Sequence, residues 1–167
     1  MRKYFFAVMM MVMAFVLAES NLVIGEETIA PNFQLKDLDR NTVTLSQYKG
    51  KQDVLLFFWT TWCPYCRRGL KVLNEKNAQL LKDGVEILAI NVSEPADKVN
   101  SFVRNSPLTF KTLLDTEASV ALNYKLLGFP TYIIVDKKGY IRSTGYSFPE
   151  EEYKDLILHK DEARQKK

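Results

Sequence analysis

"FFWTTWCPYCRRGL", residues 57–70, holds both cysteines of the chain, spaced Cys-x-x-Cys as Cys63 and Cys66 and followed by Arg67 and Arg68. Upstream, the run VLLFFW at 54–59 is continuously apolar, the pattern of a central strand covered on both faces. Downstream, Leu70, Leu73, Leu80 and Leu81 recur at helical spacing, so a helix begins inside the motif and Cys63 sits at its N-terminus. A structural zinc ion asks for four ligands, and besides the two thiols the chain offers only His159. Covalent haem attachment asks for histidine after the second cysteine, where Arg67 stands. A bridge across so short a loop removes little entropy from the unfolded chain. Thiol redox chemistry remains.

Working outward, VEILAINV at 85–92 reads as a strand, with Ser93 as N-cap ahead of Glu94 and Pro95 and a helix through Val99, Phe102 and Val103. A short helix is predicted over 118–126. Tyr132 to Val135 reads as a further strand, the DKKG of 136–139 as a turn, and 140–144 as its hairpin partner. Ser147 and Glu150 pattern the start of a last helix through Tyr153, Leu156 and Ile157. APNFQL at 30–35 and TVTLSQY at 42–48 read as an N-terminal β-hairpin extension. The sum is an α/β fold, a mixed central sheet with helices on both faces, whose C-terminal edge carries the cysteines.

The N-terminus points to the compartment. Arg2 and Lys3 precede the apolar run 4–18, which ends in small residues, the layout of a secretory signal peptide over residues 1–20 ahead of a domain over 21–167. The run is shorter than the roughly 20 residues a membrane-crossing helix needs, which favours cleavage after Ala18 or Ser20 over an uncleaved anchor. A domain of about 150 residues buries enough surface to fold without staples. Removing Arg2 and Lys3 lowers a formal charge of +3 by two, and no basic stripe interleaves with aromatics, so nucleic acid is not an expected partner. The mixed charges of HKDEARQKK at 159–167 fit a solvated helical face.

Three stretches together carry a family resemblance. The 57–70 segment resembles the active-site segment of thioredoxin-like proteins. APNFQLKDLDRNTVTLSQYKGK at 30–51 is similar to the extension of the extracytoplasmic TlpA/ResA-like branch and of the peroxiredoxins, and GFPTYIIVDKKGYI at 128–141 to that branch's cis-proline segment and hairpin. The resemblance implies a thioredoxin-like fold and an extracytoplasmic thiol-disulfide oxidoreductase without metal or other cofactor. Cys63 and Cys66 would be its redox-active disulfide, Cys63 the nucleophile favoured by the helix N-terminus and Cys66 the shielded resolving thiol. Pro130 would be the cis-proline facing them, with the Phe129 backbone free to pair with an extended substrate. Trp62, Pro64, Tyr65 and Phe129 would rim the thiol. The implied partners are proteins bearing thiols or disulfides, apocytochromes in cytochrome c maturation among them, and a membrane redox partner. The membrane itself is touched only if the leader is retained.

Two alternatives stand beside this. A peroxiredoxin-like peroxidase would share the extension, but its Pro-x-x-x-Thr-x-x-Cys motif is half present, with Thr60 in place and Leu56 where proline belongs. A redox-sensing, client-holding factor would use the same groove without turnover. The chain also departs from its relatives twice. Phe57 stands where thioredoxins carry a buried aspartate, and Gly69 where the TlpA/ResA-like branch often has glutamate. A Gly69→Glu change would then be expected to speed thiol deprotonation.

Overall fold

The structure, a computed structural model, describes residues 28–165; the expected leader over 1–20 lies outside them. The fold is organised by β3 (Asp53–Trp59), buried along its whole length. Its side chains alternate strictly between two cores: Val54, Leu56 and Phe58 face one, and Leu55, Phe57 and Trp59 the other. Each such fully buried side chain contributes about 1.5–3 kcal/mol relative to exposure, enough to hold β3 in register against both layers.

Seven strands form one mixed sheet in the order β2-β1-β5-β4-β3-β6-β7. β4 (Val85–Val92) runs parallel to β3, and β6 (Thr131–Val135) antiparallel on its other side. β7 (Ile141–Gly145) returns from β6 as a hairpin with a bulge near Val135. β1 (Gln34–Asp37) and β2 (Thr42–Thr44) pair antiparallel with Leu35 opposite Val43. One face is covered by α1 (Pro64–Lys82), α2 (Ala96–Asn105) and α4 (Glu150–Gln165), whose Leu73, Val99 and Leu156 pack in the same cluster as Phe57 and Trp59. The other face packs against α3 (Ser119–Asn123) and a 3-10 helix over Leu45–Tyr48.

Several local expectations change. The 42–48 stretch is strand only to Thr44, because Leu45 and Tyr48 turn inward on the 3-10 helix instead of continuing along the edge. β5 (Lys111–Asp115) carries too few residues to stand out in the sequence, yet it bridges β4, parallel, to β1, antiparallel. Ser93 is no cap: its φ of 54° is left-handed, and α2 starts at Pro95 without a side-chain cap. Leu81 is exposed, and the buried stripe of α1 runs Cys66, Gly69, Leu70, Leu73, Asn77, Leu80.

The five-residue α3 leads into the segment that faces the cysteines, and so short a helix is not stable by itself. Buried Asp115 holds it, accepting the Val120 and Ala121 N–H groups at 3.2 and 2.9 Å. Asp115→Ala strands these donors and is expected to cost about 1–2 kcal/mol, read as a lower denaturant midpoint with an unchanged slope.

Candidate active site

Because β3 ends at the edge of the sheet, the chain must turn before α1 can pack back across it. The turn is closed by the Cys63 N–H on the Thr60 carbonyl, 3.4 Å away. Cys63 is then the N-cap of α1 in extended conformation, with Pro64 in the first turn, where its missing N–H costs nothing. Its Sγ stands in for the usual capping oxygen and accepts the Cys66 N–H at 3.2 Å. That bond gives a partner to one of the main-chain N–H groups that a helix start otherwise leaves unpaired.

Both thiols are free and lie one turn apart. Cys63 is 4% exposed and Cys66 fully buried. Burial first, then the hydrogen bond and like charge of Cys63, pushes the Cys66 thiol from 9.0 up to about 12, against a smaller opposing pull from the Thr60 main chain. Cys66 therefore holds its proton at neutral pH. On the other side, the Cys63 thiol donates to the Phe129 carbonyl at 3.7 Å, and the Phe129–Pro130 peptide is cis. The structure thus brings together Cys63, Cys66, Phe129 and Pro130, which the sequence predicted as neighbours.

The loop between β3 and Cys63 is fixed by residues that sequence reading passed over. Thr61 donates its N–H and its hydroxyl, each at 2.6 Å, to the two oxygens of Glu94. Asn91 on β4 and Lys98 on α2 complete that carboxylate at 2.8 and 2.7 Å. Burial alone would raise the Glu94 carboxyl, but the hydrogen bonds from Lys98, Thr61 and Asn91 hold it below the ordinary carboxylate range. Arg67 closes the loop from the other side, its Nε donating to the Thr61 carbonyl at 2.9 Å. The signal for Glu94 was its place just past the end of an apolar strand.

Around the thiols the predicted rim divides. Trp62 and Tyr65 are 62% and 66% exposed, Pro64 is exposed, Phe129 half-buried and Pro130 buried. Arg68 lies 4.8 Å over the Tyr65 ring, fixing that side chain by a cation–π contact. Trp59, by contrast, is core, packed on Phe102 at 5.2 Å. Beside Trp62 opens a cleft of about 320 Å³ walled by Leu122, Leu126, Leu127 and Phe129, with Leu127 91% exposed.

The two departures share one physical cause. Phe57 is fully buried with its ring 4.7 Å from that of Tyr132 on β6. A Cβ at Gly69 would collide with the Tyr132 hydroxyl and lie 2.8 Å from Phe57 Cζ. Glycine at 69 is a packing requirement. This corrects the expectation for Gly69→Glu, since no room for a carboxylate exists between α1 and these two rings.

The profile described as the AhpC/TSA family matches residues 27–144, most of the described chain. The chain belongs to the AhpC/TSA family. Within it, the chain is similar to thiol-disulfide oxidoreductase ResA of Geobacillus kaustophilus, 41% identical over 113 residues that cover 68% of this chain and 64% of that one. It is also similar to the ResA of Bacillus thuringiensis, 35% identical over 121 residues covering 72% and 68%. The chain therefore spans a little under two thirds of the length of the first of these relatives. Its fold matches the thioredoxin domain of a thiol-disulfide oxidoreductase from Bacteroides vulgatus with a TM-score of 0.67 at 23% identity, covering 85% of this chain and 98% of that one. The thioredoxin-like fold is thereby shown. Among the described residues no helix is long and apolar enough to cross a membrane.

In this member of the family the buried thiol ties stability to pH. An unfolded Cys66 loses its proton near 9.0, whereas the folded one keeps it to about 12. Between these values the unfolded chain binds fewer protons, so stability falls as pH rises through that window and is intact below it. Denaturant midpoints of the reduced protein are expected to drop above pH 9.0, with a shallower drop in Cys66→Ser.

Proposed function

We propose that this protein is a thiol-disulfide oxidoreductase acting outside the cytoplasm on proteins that carry thiols or disulfides. The observation that carries this is the difference between two free thiols one helical turn apart: Cys63, 4% exposed at the helix start with a main-chain N–H on its sulfur, and Cys66, with no exposed surface and its proton firmly held. Cys63, as thiolate, attacks a client disulfide, forming a mixed disulfide and releasing one client thiolate. Cys66 then gives up its proton and attacks the Cys63 sulfur, so that the second client thiol leaves and two electrons have passed to the client. The client runs as an extended segment beside Phe129 and Pro130, its side chains on Trp62, Pro64 and Tyr65. A membrane redox partner restores the dithiol. The similarity to proteins named thiol-disulfide oxidoreductase ResA supports the reaction class. Apocytochromes, as in cytochrome c maturation, are the client class we favour.

Membership of the AhpC/TSA family also raises a peroxidase reading. Against it, Leu56 lies fully buried in β3 where the peroxidase motif places proline, and a second thiol shares the same helical turn.

The roles are tested by trapping. Cys66→Ser should accumulate mixed disulfides with client proteins, seen as reductant-sensitive shifts on non-reducing gels, while Cys63→Ser traps at least about tenfold less because its remaining thiol is buried. Equal trapping by both would overturn the assignment.

We further propose a leader over 1–20 removed ahead of the domain over 21–167. Intact-mass analysis from the native host is expected to give a chain beginning at Glu19 or Asn21; retention of Met1 in the membrane fraction would establish an anchor instead.

A further inference from the structure

Three elements converge at Gly69, three residues beyond Cys66: Phe57 from β3, Gly69 itself from α1 and Tyr132 from β6. Gly69 follows Cys66 by three residues and shares its buried face. Cα–Cβ bonds in a helix lean toward its N-terminus, so an atom filling the Cβ space of Gly69 lies on the side toward Cys66. That atom is the Tyr132 phenol oxygen. Tyr132 is buried in the same cluster as Cys66, together with Phe57, Leu70, Leu73 and Ile134. Burial first and then the negative charge of Cys66 push its phenol from 10.0 to about 12, so sulfur and phenol feel one another. The glycine that excludes a carboxylate is thus what admits this hydroxyl.

We propose that the Tyr132 hydroxyl donates a hydrogen bond to the Cys66 sulfur whenever that sulfur carries negative charge, in the space that Gly69 leaves open. This rests on the thiol-disulfide exchange proposed above. In the resolving step the Cys66 proton ends on the departing client thiolate, and the developing Cys66 thiolate is held by the phenol, which keeps its own proton. In the reverse direction the same bond receives Cys66 as the leaving thiolate when a donor attacks the Cys63–Cys66 disulfide. A phenol protonated at neutral pH differs from a carboxylate in this respect: it stabilises the anion and does not take up the proton.

The test separates the two half-reactions in single-turnover rapid quench with a model peptide disulfide. Tyr132→Phe is expected to form the mixed disulfide at the rate of the unaltered chain but to resolve it about tenfold more slowly, with the pH profile of resolution displaced to higher pH. Replacing all tyrosines of the unaltered chain by fluorotyrosine, a stronger donor, should accelerate resolution, and should do nothing in Tyr132→Phe. Resolution by Tyr132→Phe at the unaltered rate and pH profile would overturn the inference, as would fluorotyrosine without effect in the unaltered chain, which decides the matter even if Tyr132→Phe does not fold. If the unaltered chain forms no mixed disulfide at all, thiol-disulfide exchange itself fails and the inference goes with it.

Discussion

The hydrogen bond from the Cys66 N–H to the Cys63 sulfur starts α1 and, in the same stroke, separates the two thiols. A helix leaves its first N–H groups without partners, and a residue just ahead of it must supply an acceptor. Here that residue is a cysteine, so the need to begin a helix places a sulfur where negative charge is welcome. The pitch of the helix then puts Cys66 one turn inward, against Leu70, Leu73 and the face of β3. Rim and interior are assigned by the same bond.

That geometry holds only if the loop from Thr60 to Trp62 cannot shift, and a buried carboxylate fixes it. A lone buried carboxylate is unfavourable by several kcal/mol. Glu94 avoids this because four donors from three elements meet its two oxygens. Removing one donor weakens the compensation of that buried charge. The loop is thereby tied to β4 and α2, while Arg67 ties it to α1. Cys63 is positioned by the sheet edge as well as by its own helix.

On the buried face of α1, packing decides three positions together. Positions 57 and 69 hold a phenylalanine and a glycine, and Tyr132 packs against both. The three residues form one unit: a larger side chain at 69 evicts the phenol, and a smaller one at 132 opens a void beside Phe57.

By itself the sequence determined whatever depends on local periodicity and local caps. The unbroken apolar run made β3 a strand buried on both faces, and the leucine spacing made α1 a helix opening at Cys63. VEILAINV was long enough to be a strand on any reading. Only the tertiary structure decided the rest. β5 has five residues and no pattern of its own until β4 and β1 lie on either side. Ser93 turned left-handed because Glu94 is drawn inward to Thr61, 33 residues away, overriding a local cap signal. Gly69 looked like an absent acid and proved to be a place kept for a phenol arriving from another strand. Spacing along a chain encodes which faces are apolar, but which atom fills a given space depends on elements distant in sequence, and that is settled only when they pack.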